Sequence, residues 1–127
     1  MPSVGNSRWE LRRIAPLVDV EQLSQIQEAL RERRVDGFVV WKPIAIEWLL
    51  KNLDGHTDSS ITTLMHEHVG AGGEVDRVPE RREGYRDRFE FHYDFRLKID
   101  GRKVYIETRL RNTKTGPILT IVNIHDE

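Results

Sequence analysis

Residues 89 to 111 have the sequence FEFHYDFRLKIDGRKVYIETRLR, which carries the strongest structural signal in the chain. From Phe89 to Ile99 the odd positions are apolar, whereas the even positions are acidic, basic or histidine. Because strand side chains alternate between two faces, this pattern predicts a strand with one core face and one polar face. Asp100-Gly101 follows, and this dipeptide is typical of a two-residue type I′ turn, which needs positive φ at both positions.

The two-residue turn determines the register of the predicted hairpin, because it places Ile99 opposite Arg102. Counting outward gives these pairs on the core face, all apolar except for Thr108: Leu97 with Val104, Phe95 with Ile106, Tyr93 with Thr108 and Phe91 with Leu110. It pairs charged and polar residues on the other face: Arg96 with Tyr105, Asp94 with Glu107, His92 with Arg109 and Glu90 with Arg111. We therefore predict one compact, solvent-facing patch that contains His92, Arg96, Tyr105, Glu107 and Arg109.

The first half of the chain has apolar residues at helical spacing, behind residues that can begin helices. The patterns predict helices at about 19–34, 43–54 and 58–69. They predict strands at about 38–41, 89–99, 102–111 and 118–125. Residues 1–18 are predicted to form an N-terminal arm and residues 19–127 a single α+β domain. Its N-terminal helices are expected to pack on one face of a C-terminal antiparallel sheet of three or four strands.

The charged stretch from Glu74 to Arg88 interrupts these patterns. It contains Pro79, and its arginines alternate with acidic residues. We predict a surface loop or an extended crossover for this stretch. A solvated loop is one interpretation of its charges, and an arm that contacts RNA is the other.

Composition limits the class of protein. The chain has 127 residues and no cysteine, which excludes a disulfide framework and any site built on a thiolate. It lacks the roughly 20 consecutive apolar residues that span a bilayer, and its start does not resemble a signal peptide. We therefore predict a cytoplasmic protein without membrane association. The formal net charge of −1 does not by itself indicate nucleic-acid binding, so charge must be judged locally.

Two further motifs are expected to carry no ligand. His66 and His68 lie two positions apart, so on a helix their side chains point away from each other and cannot share a metal ion. The glycine-rich stretch from Gly70 to Gly73 follows a predicted helix, whereas a phosphate cradle precedes one. We predict no metal and no cofactor.

The polar patch of the hairpin has the groups that RNA cleavage without a metal requires. Glu107 or His92 would act as base on the 2′-hydroxyl, and His92 or His125 would protonate the leaving oxygen. Arg109 or Arg96 would stabilise the charge of the transition state. The alternative interpretation is a solvated sheet face with cross-strand ion pairs. The residues expected to bind substrate are Tyr105, Arg111 and Arg88.

The order of elements, with helices first, then a charged connector and then the hairpin RLKIDGRKVYI of residues 96–106, resembles the RelE-like and barnase-like ribonuclease fold group. Many toxins of bacterial toxin–antitoxin pairs belong to that group. The resemblance covers residues 38 to 125 and concerns element order and length, so no residue is matched one to one. It implies metal-independent RNA cleavage on the open face of the sheet, often silenced by a partner protein.

From the patch and the resemblance we predict a small metal-independent ribonuclease or RNA-binding, toxin-like domain that uses the polar face of the 89–111 hairpin. The expected partners are RNA and a cognate inhibitory protein. The alternative prediction is a non-catalytic protein-interaction or regulatory module.

Overall fold

The computed structural model describes residues 18–31 and 38–127. Within them the helices are α1 (Val20–Arg31), α2 (Pro43–Asn52) and α3 (Asp58–Gly70). The strands are β1 (Val39–Trp41), β2 (Val75–Pro79), β3 (Phe91–Ile99), β4 (Arg102–Thr113) and β5 (Gly116–Asp126). The predicted α+β class is confirmed. The predicted N-terminal arm, apart from Val18, and the last predicted residues of the first helix lie outside the described residues.

The described strands form one five-stranded sheet in the order β1-β5-β4-β3-β2. Two predictions about the sheet are wrong. It has five strands instead of three or four, and it is mixed, because β1 runs parallel to β5 while the other neighbours are antiparallel. The missed strand is β2, which lies inside the charged stretch predicted as a surface loop or an extended crossover. It is an edge strand, where charged residues and a terminal proline such as Pro79 are tolerated.

The predicted turn and register of the hairpin are confirmed. Asp100 and Gly101 have φ values of 51° and 81°, as a type I′ turn requires. The ladder between β3 and β4 runs from Ile99–Arg102 to Tyr93–Thr108. The predicted pairs of His92 with Arg109 and of Glu90 with Arg111 lie beyond the last paired residues of this ladder.

The helices cover one face of the sheet and leave the other face to polar residues. Helix residues such as Leu49 and Ile61 share one buried cluster with Phe95 and Ile106 of the hairpin. Burying a side chain of this size contributes roughly 1.5–3 kcal/mol, so the apolar face of β3 is held firmly toward the helices. The alternating residues of β3 are thereby directed to the opposite side, where the candidate site lies.

In the part of the chain that the structure describes, no helix combines the length and the apolar character that crossing a bilayer requires.

Candidate functional site on the polar face of the sheet

The polar face is the side of the sheet opposite the helices. Its side chains lie in rows across β3, β4 and β5, because paired residues of neighbouring strands point to the same side. A bulge between Glu107 and Thr108 shifts the register of β4 against β5. Starting from the turn, the rows are Lys98 and Lys103, then Arg96, Tyr105 and His125, then Asp94, Glu107 and Asn123.

Residues 80–89, here called the covering segment, fold over the part of the polar face that is far from the turn. Glu80 forms an ion pair with Arg109, and the Tyr85 ring centroid lies 4.8 Å from the Cζ of Arg109. As a result, the exposed fraction of Arg109 is only 1% and that of Glu107 only 3%. The covering segment therefore closes this part of the face to solvent.

The prediction of a solvent-facing patch is thus wrong for Glu107 and Arg109. The two residues do contact each other, with 2.7 Å between Arg109 Nη1 and Glu107 Oε2. The covering segment adds Arg82, whose Nη1 lies 3.2 Å from Glu107 Oε2, and Glu80 beside Arg109. Two carboxylates and two guanidinium groups compensate one another, which allows Glu80, Glu107 and Arg109 to be buried while Arg82 stays half exposed. Glu107 is therefore not accessible as a base for a substrate.

This buried network is held more by charge than by aligned hydrogen bonds. The Nε of Arg109 lies within ion-pair distance of Glu80 Oε1, but the two atoms do not meet hydrogen-bond geometry. The Nη2 of Arg109 is buried without a hydrogen-bond partner among the described residues. A buried donor without an acceptor costs about 1–3 kcal/mol, so opposite charge has to stabilise this cluster.

Asp94 contacts His92 on the polar face. His92 Nδ1 lies 2.8 Å from Asp94 Oδ1, and because a carboxylate only accepts, Nδ1 is the donor. The Tyr105 side chain lies near the same carboxyl group. Burial, followed by the charge of Asp94, raises the pKa of Tyr105, so its phenol stays protonated. The hydrogen bond from His92 stabilises Asp94 opposite Glu107, where two like charges would otherwise repel.

The next row is arranged around the Tyr105 ring. The ring centroids of His125 and Tyr105 are 4.8 Å apart, and the Cζ of Arg96 lies 5.3 Å from the Tyr105 centroid. His125 is exposed, and its Nδ1 donates to the carbonyl oxygen of Asp126 at 2.8 Å. A carbonyl only accepts, so the Nε2 of a neutral His125 has a lone pair that can accept a proton.

Lys98 and Lys103 form the row nearest the turn, and both are exposed. Neither makes an ion pair with another residue that the structure describes. Like charges directly opposed on neighbouring strands destabilise a sheet, and an anionic ligand would relieve that repulsion. Sequence reasoning did not include these lysines among the site residues, although the predicted register already placed them opposite each other. We call Lys98, Lys103, Arg96, Tyr105 and His125 together the open end.

The structure separates the two histidines of the predicted site, His92 as candidate base or acid and His125 as candidate acid. His92 lies on β3, four residues along the strand from Arg96, whereas His125 lies two strands away in the row of Arg96. With about 3.3 Å per residue and 4.8 Å between strands, their Cα atoms are about 16 Å apart. His92 and His125 therefore do not meet around one phosphate, and His92 is largely buried beside Asp94.

The predicted substrate-binding residues are distributed over the surface. Tyr105 belongs to the open end. Arg111 is exposed on β4 opposite Ile118, and Arg88 is exposed on the covering segment, where its Nη2 donates to the carbonyl oxygen of Gly84 at 3.1 Å. Of the predicted site residues, Arg96, Tyr105 and His125 share one row, in which Arg96 and His125 are exposed and Tyr105 is half-buried. Glu107 and Arg109 lie two residues apart on β4, and both are buried.

Among the described residues, no group of three or more histidine, aspartate or glutamate side chains is arranged to hold a metal ion. Comparison of the chain with protein-family models, with curated proteins and with solved structures finds no match. The geometry of the open end is therefore the basis for a function.

Proposed function

We propose that the chain is a small ribonuclease that binds single-stranded cytoplasmic RNA on the open end and cleaves it without a metal ion. The observation that carries this proposal is the exposed, opposed pair Lys98 and Lys103, two cations without a described acidic partner next to Arg96 and His125. The proposal keeps the function implied by the resemblance to RelE-like and barnase-like ribonucleases. It assigns RNA binding and cleavage to the open end, instead of to the residues that the covering segment buries.

Binding would be driven mainly by charge. Phosphate groups dominate the affinity of proteins for nucleic acids, and lysine and arginine neutralise them. Lys98, Lys103 and Arg96 lie on one side of the sheet in two successive rows, so neighbouring phosphates of one strand can contact them together. An unpaired strand suits this surface, because it can bend to follow the rows.

Cleavage would use the ribose 2′-hydroxyl. His125 Nε2 takes the proton of that hydroxyl while the 2′-oxygen bonds to phosphorus, and Arg96 stabilises the charge on the phosphoryl oxygens. The bond from phosphorus to the 5′-oxygen breaks, and that oxygen receives a proton from the ammonium group of Lys98 or Lys103. The products are a 2′,3′-cyclic phosphate and a 5′-hydroxyl, and proton exchange with solvent restores the histidine and the lysine.

The test is cleavage of a fluorescently labelled single-stranded RNA in EDTA at low salt. We expect the wild-type protein to give cyclic-phosphate ends and His125→Ala to lower the rate about 100-fold or more, since general acid–base catalysis contributes that much. His125→Ala should still bind the RNA. His66→Ala, a substitution on helix α3, is the control and should cleave normally. A wild-type protein that neither binds nor cleaves RNA would contradict the proposal.

A non-catalytic interaction module is the second candidate. Its support is the exposure of Ile44 and Leu50 on helix α2, which are 67% and 63% exposed. Single exposed apolar residues are common on soluble domains, so this observation is weaker than the lysine pair. If α2 mediates association, Ile44→Ser with Leu50→Ser should abolish oligomers seen by analytical ultracentrifugation. A wild-type protein that stays monomeric at all concentrations would argue against self-association.

A further inference from the structure

Two adjacent acidic residues at the end of the sheet bind arginines on opposite faces. Asp126 accepts hydrogen bonds from Arg102 Nε and Nη2 at 3.1 and 2.7 Å, and Arg102 lies over the Trp48 ring of helix α2. Glu127 accepts a hydrogen bond from Arg96 Nε at 2.6 Å on the polar face. The alternation of side chains along an extended chain explains this division.

We propose that the Glu127 carboxylate occupies a phosphate subsite formed by Arg96, so that an RNA phosphate must displace it to bind. Carboxylate and phosphate oxygens bind a guanidinium group with the same geometry and the same sign of charge. Glu127 thus takes the place of a phosphate at the open end and lowers the affinity for RNA. This inference rests on the proposed function and describes the regulation of that same site.

Arg96 has two acidic partners, and only one of them is suited to exchange. Asp76 belongs to strand β2, and its side chain is 15% exposed. Glu127 follows the last strand, and its side chain is 40% exposed. Exposed ion pairs contribute little to stability. A phosphate can therefore replace Glu127 while Asp76 continues to hold the guanidinium group in position.

The chain provides a matched pair of substitutions for the test. Glu127→Gln and Asp126→Asn each remove one negative charge, at neighbouring positions, but from opposite faces of the sheet. Their effects on the net charge are equal, so a difference between them reports the local contact. The probe is a fluorescein-labelled oligouridylate of about 12 nucleotides, a length that covers a typical single-strand site. Fluorescence anisotropy gives its dissociation constant.

We expect Glu127→Gln to bind the oligouridylate about two- to fivefold more tightly than the wild-type protein, the range that loss of an exposed ion pair allows. Asp126→Asn should bind like the wild type. In an Arg96→Gln background, Glu127→Gln should no longer differ from Asp126→Asn, because the subsite is gone. Circular dichroism confirms that each variant is folded.

The outcomes separate the two proposals. If the wild-type protein binds the oligouridylate but Glu127→Gln and Asp126→Asn change the affinity equally, the phosphate subsite is refuted and the proposed function stands. If Glu127→Gln alone gains affinity, the subsite is supported. If no variant binds even at low salt, the proposed function fails, and the subsite fails with it.

Discussion

Arg96 and Arg109 project from the same face of the sheet into different environments. Arg109 is 1% exposed, between two carboxylates and the Tyr85 ring. The side chain of Arg96 is 42% exposed and is bound by Glu127 at 2.6 Å. A buried guanidinium group whose partners are also buried stabilises one arrangement of the chain, whereas an exposed one can exchange its partner for a ligand.

The buried network predicts a large effect on stability at Glu107. Glu107→Ala removes one carboxylate and leaves Arg109 buried with less compensating charge, so the free energy of unfolding should fall by about 3 kcal/mol. Urea denaturation measures the change. Glu83→Ala, an exposed acidic residue of the covering segment, should change stability by less than about 0.5 kcal/mol. Equal effects of the two substitutions would contradict a structural role for the network.

The pKa of Tyr93 predicts how the free energy of unfolding changes at alkaline pH. Burial, followed by the charge of Asp19, raises the pKa of Tyr93 from its ordinary value of 10.0 to about 12. The unfolded chain therefore loses this proton first, and the free energy of unfolding should fall as pH rises from about 10 to about 12. Below pH 10 the contribution is fully present.

Tyr93→Phe should reduce this fall, because phenylalanine has no proton to lose. Urea denaturation of both proteins between pH 8 and pH 12 tests it: the curves of stability against pH should be parallel below about pH 10 and converge or cross above it. Curves that remain parallel throughout would contradict the raised pKa of Tyr93.

At the residue scale, sequence reasoning placed the candidate residues of the hairpin on the correct face but did not identify which of them are covered. The alternation of β3 and the Asp100-Gly101 turn were sufficient to predict the face, because both are local properties. The burial of Glu107 depends on Arg82, which lies 25 positions away in a stretch whose charges resemble those of a solvated loop. No local pattern distinguishes a charged loop in water from one whose charges pair with a sheet.

The hairpin of β3 and β4 is the element that positions the site, and its register depends on two residues. Asp100 and Gly101 both have positive φ, so the turn has two residues and all rows of the polar face follow from it. A slip by one residue would move Lys98, Arg96 and Asp94 to the core face. The sequence predicted this element well because turn chemistry and alternation agree. It did not predict β2, since a short edge strand needs no apolar alternation.

The geometry of the turn predicts that alanine substitutions at two glycines change the stability of the protein differently. Gly101→Ala forces an L side chain into a left-handed backbone with φ of 81°, and the free energy of unfolding should fall by about 1–2 kcal/mol. Gly70 lies at the end of helix α3, with no heavy atom within 4 Å of an added Cβ. Gly70→Ala should leave stability unchanged or raise it, by up to about 1 kcal/mol.

Thermal denaturation of both glycine variants measures this contrast. A Gly101→Ala protein as stable as Gly70→Ala would contradict the type I′ turn and, with it, the register of the polar face.

At the scale of the whole molecule, the charged side chains are unevenly distributed, although the net charge of the chain is close to zero. The formal net charge is −1, yet the open end presents Lys98 and Lys103 without acidic partners among the described residues. The far part of the same face contains a compensated, covered network. Helices shield the opposite face, so the open end is the part of the sheet where a ligand has access to several charged groups at once.

The salt dependence of RNA binding tests the central claim most directly. Each phosphate contact changes the slope of log K against log salt by about 0.7 for a single strand, so Lys98→Ala with Lys103→Ala should reduce the slope of the wild-type protein by about 1.4 and weaken binding at low salt. The measurement is fluorescence anisotropy of the labelled oligouridylate over a range of salt concentrations. An unchanged slope and affinity in the double variant would contradict RNA binding at the open end.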